Sequence, residues 1–225
     1  MISKRVFVAG AHTDVGKTFV ACGLIRAARS AGLAVEAVKP VVSGFDPADW
    51  ADSDPGRLLA ALGRPLTVDA LEAMAPWRFA APLAPPMAAR LEQRDLRLPA
   101  IADFCAARAA ASRADLLVVE GVGGLMSPIA EGATGLQLMS ALHYPVVLVG
   151  GSYLGSISHT LTALDVLRSR GLTIAGVVIS QSRDPEAPDF LDTLCEVRAF
   201  AGGRMVLGAP LNDLSDWPLR LHDLL

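Results

Sequence analysis

Six short apolar, β-branched runs alternate with longer alanine- and leucine-rich stretches, and this alternation restricts the fold more than any other feature. The runs are residues 6–9, 35–38, 116–119, 146–149, 175–179 and 205–207; stretches of helical length cover 18–30, 99–111, 156–170 and 188–200. Strands that are apolar throughout, rather than alternating with polar residues, are covered on both faces, and strands separated by helices pair in parallel. Right-handed crossovers then give an open, doubly wound, mainly parallel α/β sheet with helices on both faces. The expected organisation is one domain, residues 1–225. In such a sheet ligands bind beyond the carboxyl ends of the strands, so a motif gains weight when it directly follows a strand.

Residues 45–97 break the alternation with a stretch rich in Pro, Asp and Ala, a long connection of the kind that is often functional. The composition excludes several classes. No apolar run approaches the roughly 18 residues that cross a bilayer, and the start, MISKRVFVAGAH, is too short in apolar residues for a secretory signal. A net charge of −3 without a Lys/Arg block argues against nucleic acid or a membrane surface as partner. Cys22, Cys105 and Cys195 show no paired spacing and are expected as buried thiols of a cytoplasmic protein.

GAHTDVGKT, residues 10–18, lies between the first strand and the first long helix. Glycines let a backbone turn tightly, its amides point at an anion, and the helix start adds positive potential. Lys17 is placed to reach β- and γ-phosphates and the Thr18 hydroxyl to ligate Mg²⁺. The usual phosphate loop has four residues between its first glycine and Gly-Lys-Thr; here there are five, and one of them, Asp14, is acidic.

Three further stretches surround this loop. LLVVEGVGG puts Glu120 at the tip of an apolar strand, where an acidic Mg²⁺ ligand belongs, and Gly121, Gly123 and Gly124 leave the following backbone bare. In DSDPGR, Asp54 is either a second metal carboxylate or a helix cap before Pro55. VKPVVSG follows the second strand and brings Lys39 to the sheet edge near Lys17, with Ser43 behind it. Two converging cations suit a transition state whose charge is spread over transferring phosphoryl oxygens; a lysine snorkelling off a strand end is the alternative.

The ordered set of motifs resembles the dethiobiotin synthetase family. The set comprises the long-form loop at 10–18, KPVVSG at 39–44, Ser53-Asp54, Phe79 with Pro82 and Pro85, VEGVGG at 119–124 and LGSISHT at 154–160. The resemblance implies that 7,8-diaminononanoate, CO₂ and MgATP give dethiobiotin, ADP and phosphate. A carbamate and a carbamic–phosphoric anhydride are the intermediates. It implies ATP contacts from Asp14, Val15, Gly16, Lys17, Thr18 and Phe19, then from Asp54, Glu120, Gly121, Val122 and Gly123. Mg²⁺ falls to Thr18, Asp54 and Glu120, and catalysis to Lys17, Lys39, Thr13 and Asp14. The extra loop residue would let Thr13 and Asp14 face the diamine while Gly-Lys-Thr holds phosphates. Ser43 and Lys39 would position the acceptor, and its carboxylate would sit on the helix start at Gly155, Ser156 and Ser158, across the twofold axis of a homodimer.

The chain departs from the family where an Asn commonly reads the base, offering Ser180 and Gln181 instead, with Ala209, Pro210 and Leu211 on the other side of the ring. It has Ser158 where the family has Asn, and Asp14 where glutamate is usual. Phe79 to Pro85 is expected to form a rigid apolar wall for the acceptor's alkyl chain. His159 reads as a packing or hydrogen-bonding group and His12 as a surface residue. His143, His222 and the tryptophans carry no functional signal. The rival reading is a partition- or positioning-type ATPase switch, but that group usually carries a second lysine early in the loop, where this chain has Ala11 and His12.

Overall fold

The computed structural model describes residues 4–211 and 216–223. From the amino end, β1 (Lys4–Gly10) runs through the loop into α1 (Lys17–Ser30), followed by β2 (Val35–Val38) and the short β3 (Val41–Ser43). A 3₁₀ turn (Trp50–Asp52) precedes α2 (Asp54–Ala61), α3 (Val68–Met74), β4 (Trp77–Phe79) and α4 (Pro85–Leu91). Next come α5 (Leu98–Ala111), β5 (Leu116–Gly124), β6 (Pro128–Ala130), β7 (Ala133–Thr134) and α6 (Gly135–Leu142). The rest is β8 (Val146–Gly151), α7 (Ser156–Ser169), β9 (Ile174–Ser180), α8 (Phe190–Phe200), β10 (Val206–Ala209) and α9 (Trp217–His222).

All six strands expected from the sequence form one sheet, in the order β10-β9-β8-β1-β5-β2, and each neighbouring pair is parallel. Their continuous apolar character divides between two cores. Phe7, Ala9, Leu117, Val119, Val146 and Leu148 feed one side, where α5, α6, α7 and α8 pack. Val6, Val8, Leu116, Val118, Val147 and Val149 feed the other, against α1, α2, α3 and α9. The period of two along a strand thus supplies both faces at once, which explains why no polar alternation shows in the sequence.

From β1 the chain crosses to β2 and β5 on one side and to β8, β9 and β10 on the other. The direction of winding reverses at the carboxyl end of β1, which opens a crevice there; the glycine loop occupies that end. Residues 45–97 are not an irregular connection. They build α2 and α3, which pack into one core, and α4, which packs into the other, and β4 pairs with β3.

Two expectations fail here. Cys195 is exposed, whereas Cys22 and Cys105 are buried. The buried face of α8 is Thr193, Leu194 and Val197, and Cys195 lies opposite it. Phe79 is no ligand wall: it is 0% exposed in the core, with the Arg94 guanidinium stacked 4.6 Å over its ring. Among the described residues no helix is long and apolar enough to cross a membrane.

Candidate active site

The loop works as its composition suggests. Gly16 caps α1 in the left-handed region (φ 86°), and no side chain caps the helix start, so its first amides are free to meet an anion. A side chain at Gly16 would also strike Ser180, whose Oγ would lie 2.5 Å from the added Cβ. Val15 anchors the loop in the core at 4% exposure, while His12, Thr13 and Asp14 face outward. Asp14 itself is left-handed (φ 57°), a conformation that Asp tolerates better than most residues.

Beneath the loop four ionisable groups converge. Lys39 is 2% exposed, Glu120 1% and Lys17 7%. The Lys39 ammonium lies 2.5 Å from Glu120 Oε1 and 2.8 Å from Asp54 Oδ2, and the Thr18 hydroxyl donates to Glu120 Oε1 at 2.6 Å. One ammonium therefore serves as counter-ion to two acids. Burial works against that charge, but the two carboxylates outweigh it and push the Lys39 pKa above its ordinary value. Burial likewise disfavours ionised Asp54, yet Lys39, Thr18 and Lys17 together hold its carboxyl below the ordinary range. Lys17 goes the other way. Burial first and the Lys39 charge second lower it to about 8, and among the described residues its one hydrogen bond is a long one, 3.4 Å, to the carbonyl of His12.

Among the described residues Glu120 Oε2 is buried without a partner. With Asp54 and the Thr18 hydroxyl it makes a set of hard oxygen donors, the chemistry that suits Mg²⁺ rather than a softer metal. Among the described residues no group of three or more His, Cys, Asp or Glu side chains is gathered to hold a metal, so a cation here would keep waters or substrate oxygens. Asp54 does not cap α2; Ser53 does, accepting from the Gly56 amide. That removes the cap reading and leaves the Asp54 carboxylate free for Lys39. β5 runs on past Glu120 to Gly124. Gly123 is left-handed (φ 65°), and a side chain there would collide with Ser127, whose hydroxyl accepts from the Gly124 amide at 2.8 Å.

The other expected site residues fall around this centre in two groups. In the first group, Ser180 is buried against Gly16. Gln181 joins the two strand ends: its amide donates to Ala209 O at 3.0 Å, and its side-chain oxygen accepts from the Leu211 amide at 3.1 Å. Ala209 is buried and Pro210 half-buried beside them. Phe19 packs on Trp217, ring centroids 5.6 Å apart. On the other side, α7 begins at left-handed Gly155 without a side-chain cap. Ser156 Oγ is buried and unpartnered, Ser158 is exposed, and Leu154 at the tip is 88% exposed. A cleft of about 460 Å³ runs between the loop and α7, past His12, Thr13, Ser127, His159 and Thr162. Ser43 ends β3, beyond Lys39.

Two contributors were not foreseen. Tyr153 hydrogen-bonds His159 Nδ1 at 2.8 Å, and the His159 ring stacks on His12 at 5.2 Å with 9° between planes, tying the loop to α7. Ser127 holds the glycine tail of β5. Neither lies in a recognisable motif, so only spatial proximity reveals them.

A buried lysine at a glycine loop, a hydroxyl and two acids at the switch point of a parallel sheet define a P-loop nucleotide-binding α/β protein. An AAA-domain family model matches residues 4–216. The ATP-dependent dethiobiotin synthetase BioD of Phenylobacterium zucineum (strain HLK1) is 57% identical over 221 residues, covering 98% of this chain and 94% of that protein. The protein of the same name from Caulobacter vibrioides (strain NA1000 / CB15N) is 53% identical over 207 residues, 92% of each chain. The chain belongs to the ATP-dependent dethiobiotin synthetase family. Among solved structures, the MinC:MinD cell division protein complex of Aquifex aeolicus superposes with a TM-score of 0.56 over 97% of this chain and 86% of that one. Its 10% identity conveys shared fold alone, and the curated relatives do not favour the positioning-type switch.

Proposed function

We propose that the protein carboxylates 7,8-diaminononanoate with CO₂ and closes the ureido ring of dethiobiotin at the expense of ATP. Family membership supports the reaction, and one observation supports the placement of its chemistry: the convergence of buried Lys17 and Lys39 on Glu120 and Asp54 beneath an uncapped helix start. The α1 amides and Lys17 receive the triphosphate. Lys39 faces the carbamate and the γ-phosphoryl group, where both bring negative charge. Thr18, Asp54 and Glu120 hold Mg²⁺, which when bound draws charge from the phosphate oxygens. On the base side, Ser180, Gln181, Ala209, Pro210 and Leu211 enclose the ring.

The cleft between the loop and α7 has the size of a small-molecule site and takes the diamine. Thr13 and Asp14 hydrogen-bond its amines from the extra turn of the loop, and Ser43 orients the group that is carboxylated. The α7 start, with its free amides and the unpartnered Ser156 hydroxyl, takes a carboxylate. Holding three reactants in attack geometry supplies roughly 7–11 kcal/mol of the barrier. Leu154, exposed beside that helix start, is the contact for a second copy of the chain. Leu154→Asp is expected to shift a dimer toward monomer and to raise KM for the diamine while ADP affinity stays unchanged. Sedimentation equilibrium run beside steady-state kinetics checks both.

Phosphate release from MgATP and bicarbonate, with and without the diamine, tests the whole reading. Release that depends on the diamine is expected. Release indifferent to it refutes the proposal.

A further inference from the structure

A second, narrow pocket enters the core just below the site. Phe7 and Ala9 of β1, Ile129 of β6, Leu138 and Met139 of α6 form its apolar wall, and Glu120 lies at its polar end. Its volume is about 20 Å³. That is far below the several hundred Å³ of an ordinary ligand cleft and suits a molecule of a few heavy atoms. The nucleotide and the body of the diamine are thereby excluded. The apolar wall excludes bicarbonate and phosphate, because an ion would shed its hydration with no partners to replace it. A water needs two to four polar partners, and this wall has few.

The rim connects the pocket to the chemistry. It includes Gly10, where the phosphate loop begins, and Pro40, which follows Lys39. It also includes Gly121, whose carbonyl lies 3.4 Å from the Lys39 ammonium. We propose that this pocket holds CO₂, a small, uncharged, linear molecule, and presents it at the rim to the acceptor amine. The proposal rests on the synthetase reading above. It adds a site for the one reactant that has neither charge nor hydrogen-bond donor by which a loop or helix end could hold it.

Ile129→Phe on β6 and Leu138→Phe on α6 narrow the pocket from two separate elements. Each is expected to raise KM for CO₂ by about tenfold, the effect of losing one small apolar contact site. KM for MgATP and the melting temperature should stay near wild type. Crystals cooled under CO₂ pressure should show linear density between Met139 and Gly121. A folded variant with wild-type KM for CO₂ overturns the pocket, as does density for a water on Glu120 that CO₂ does not displace. A diamine complex with the substrate's terminal methyl in the pocket, and KM for the diamine raised in place of that for CO₂, overturns it too. CO₂-dependent phosphate release by wild type with no change in the variants sinks the pocket alone. Wild-type release that ignores CO₂ sinks the synthetase reading together with it.

Discussion

Lys17→Met is expected to make the ligand-free protein more stable and, in the same step, to abolish ATP binding. Lys17 is buried with one long hydrogen bond and a second cation nearby, so its charged form is disfavoured and its pKa falls to about 8. A lowered lysine pKa means the unfolded chain binds the proton more tightly. The penalty is therefore complete below about pH 8 and is relieved as pH rises from there toward the unfolded value near 10.5. At neutral pH the penalty is on the order of 3 kcal/mol, which methionine removes without leaving a cavity. Melting temperatures at pH 7 with and without ATP measure both halves of the expectation. A variant no more stable than wild type would mean that the Lys17 charge is better solvated than its burial implies. The wild type carries a matching signature. ATP affinity should weaken as pH rises through about 8, because an uncharged Lys17 no longer answers the phosphates.

Lys39→Met should have the opposite effect on stability. It leaves Glu120, 1% exposed, without its counter-ion, and stripping one partner from a buried pair costs about 3–5 kcal/mol. Nucleotide binding is expected to survive, since Lys17 and the α1 amides are untouched, whereas ring closure should fall by about a thousandfold or more. Adding Glu120→Gln to Lys39→Met should restore most of the melting temperature and none of the turnover. Recovery of turnover in the double variant would place Lys39 outside the chemistry. The pair has a pH signature as well. The raised Lys39 pKa stabilises the fold below the ordinary lysine range and loses its effect only at strongly alkaline pH. The lowered Asp54 pKa contributes above the ordinary carboxylate range and is lost as acid protonates the folded form.

The two lysines illustrate how far the sequence could be read. Both were placed at the crevice from their positions after strands, because strand ends in a parallel sheet all open at one rim. Their opposite pKa shifts were not legible. Those depend on which lysine touches Asp54 and Glu120, residues 15 and 81 positions from Lys39 along the chain. Asp54 shows the same limit. Sequence alone left a cap and a metal ligand open; the Ser53 hydroxyl on the Gly56 amide removed the cap, and the contact with Lys39 was legible only in the fold. Phe79 and Cys195 were misplaced for a related reason: a motif or a composition says which residues are present, not which face they turn to the core.

Local rules determined the six strands, the four long helices, the parallel sheet and the glycine loop. Each follows from periodicity or from backbone freedom within a few residues, and those properties travel with the segment. Contacts between distant segments decided the rest. The shared ammonium of Lys39, the orphan oxygen of Glu120, the ring stack of His12 on His159 and the apolar pocket beneath β5 exist only once the crossovers have closed. Burial and charge pairing are properties of that closed arrangement, and no single stretch of chain carries them.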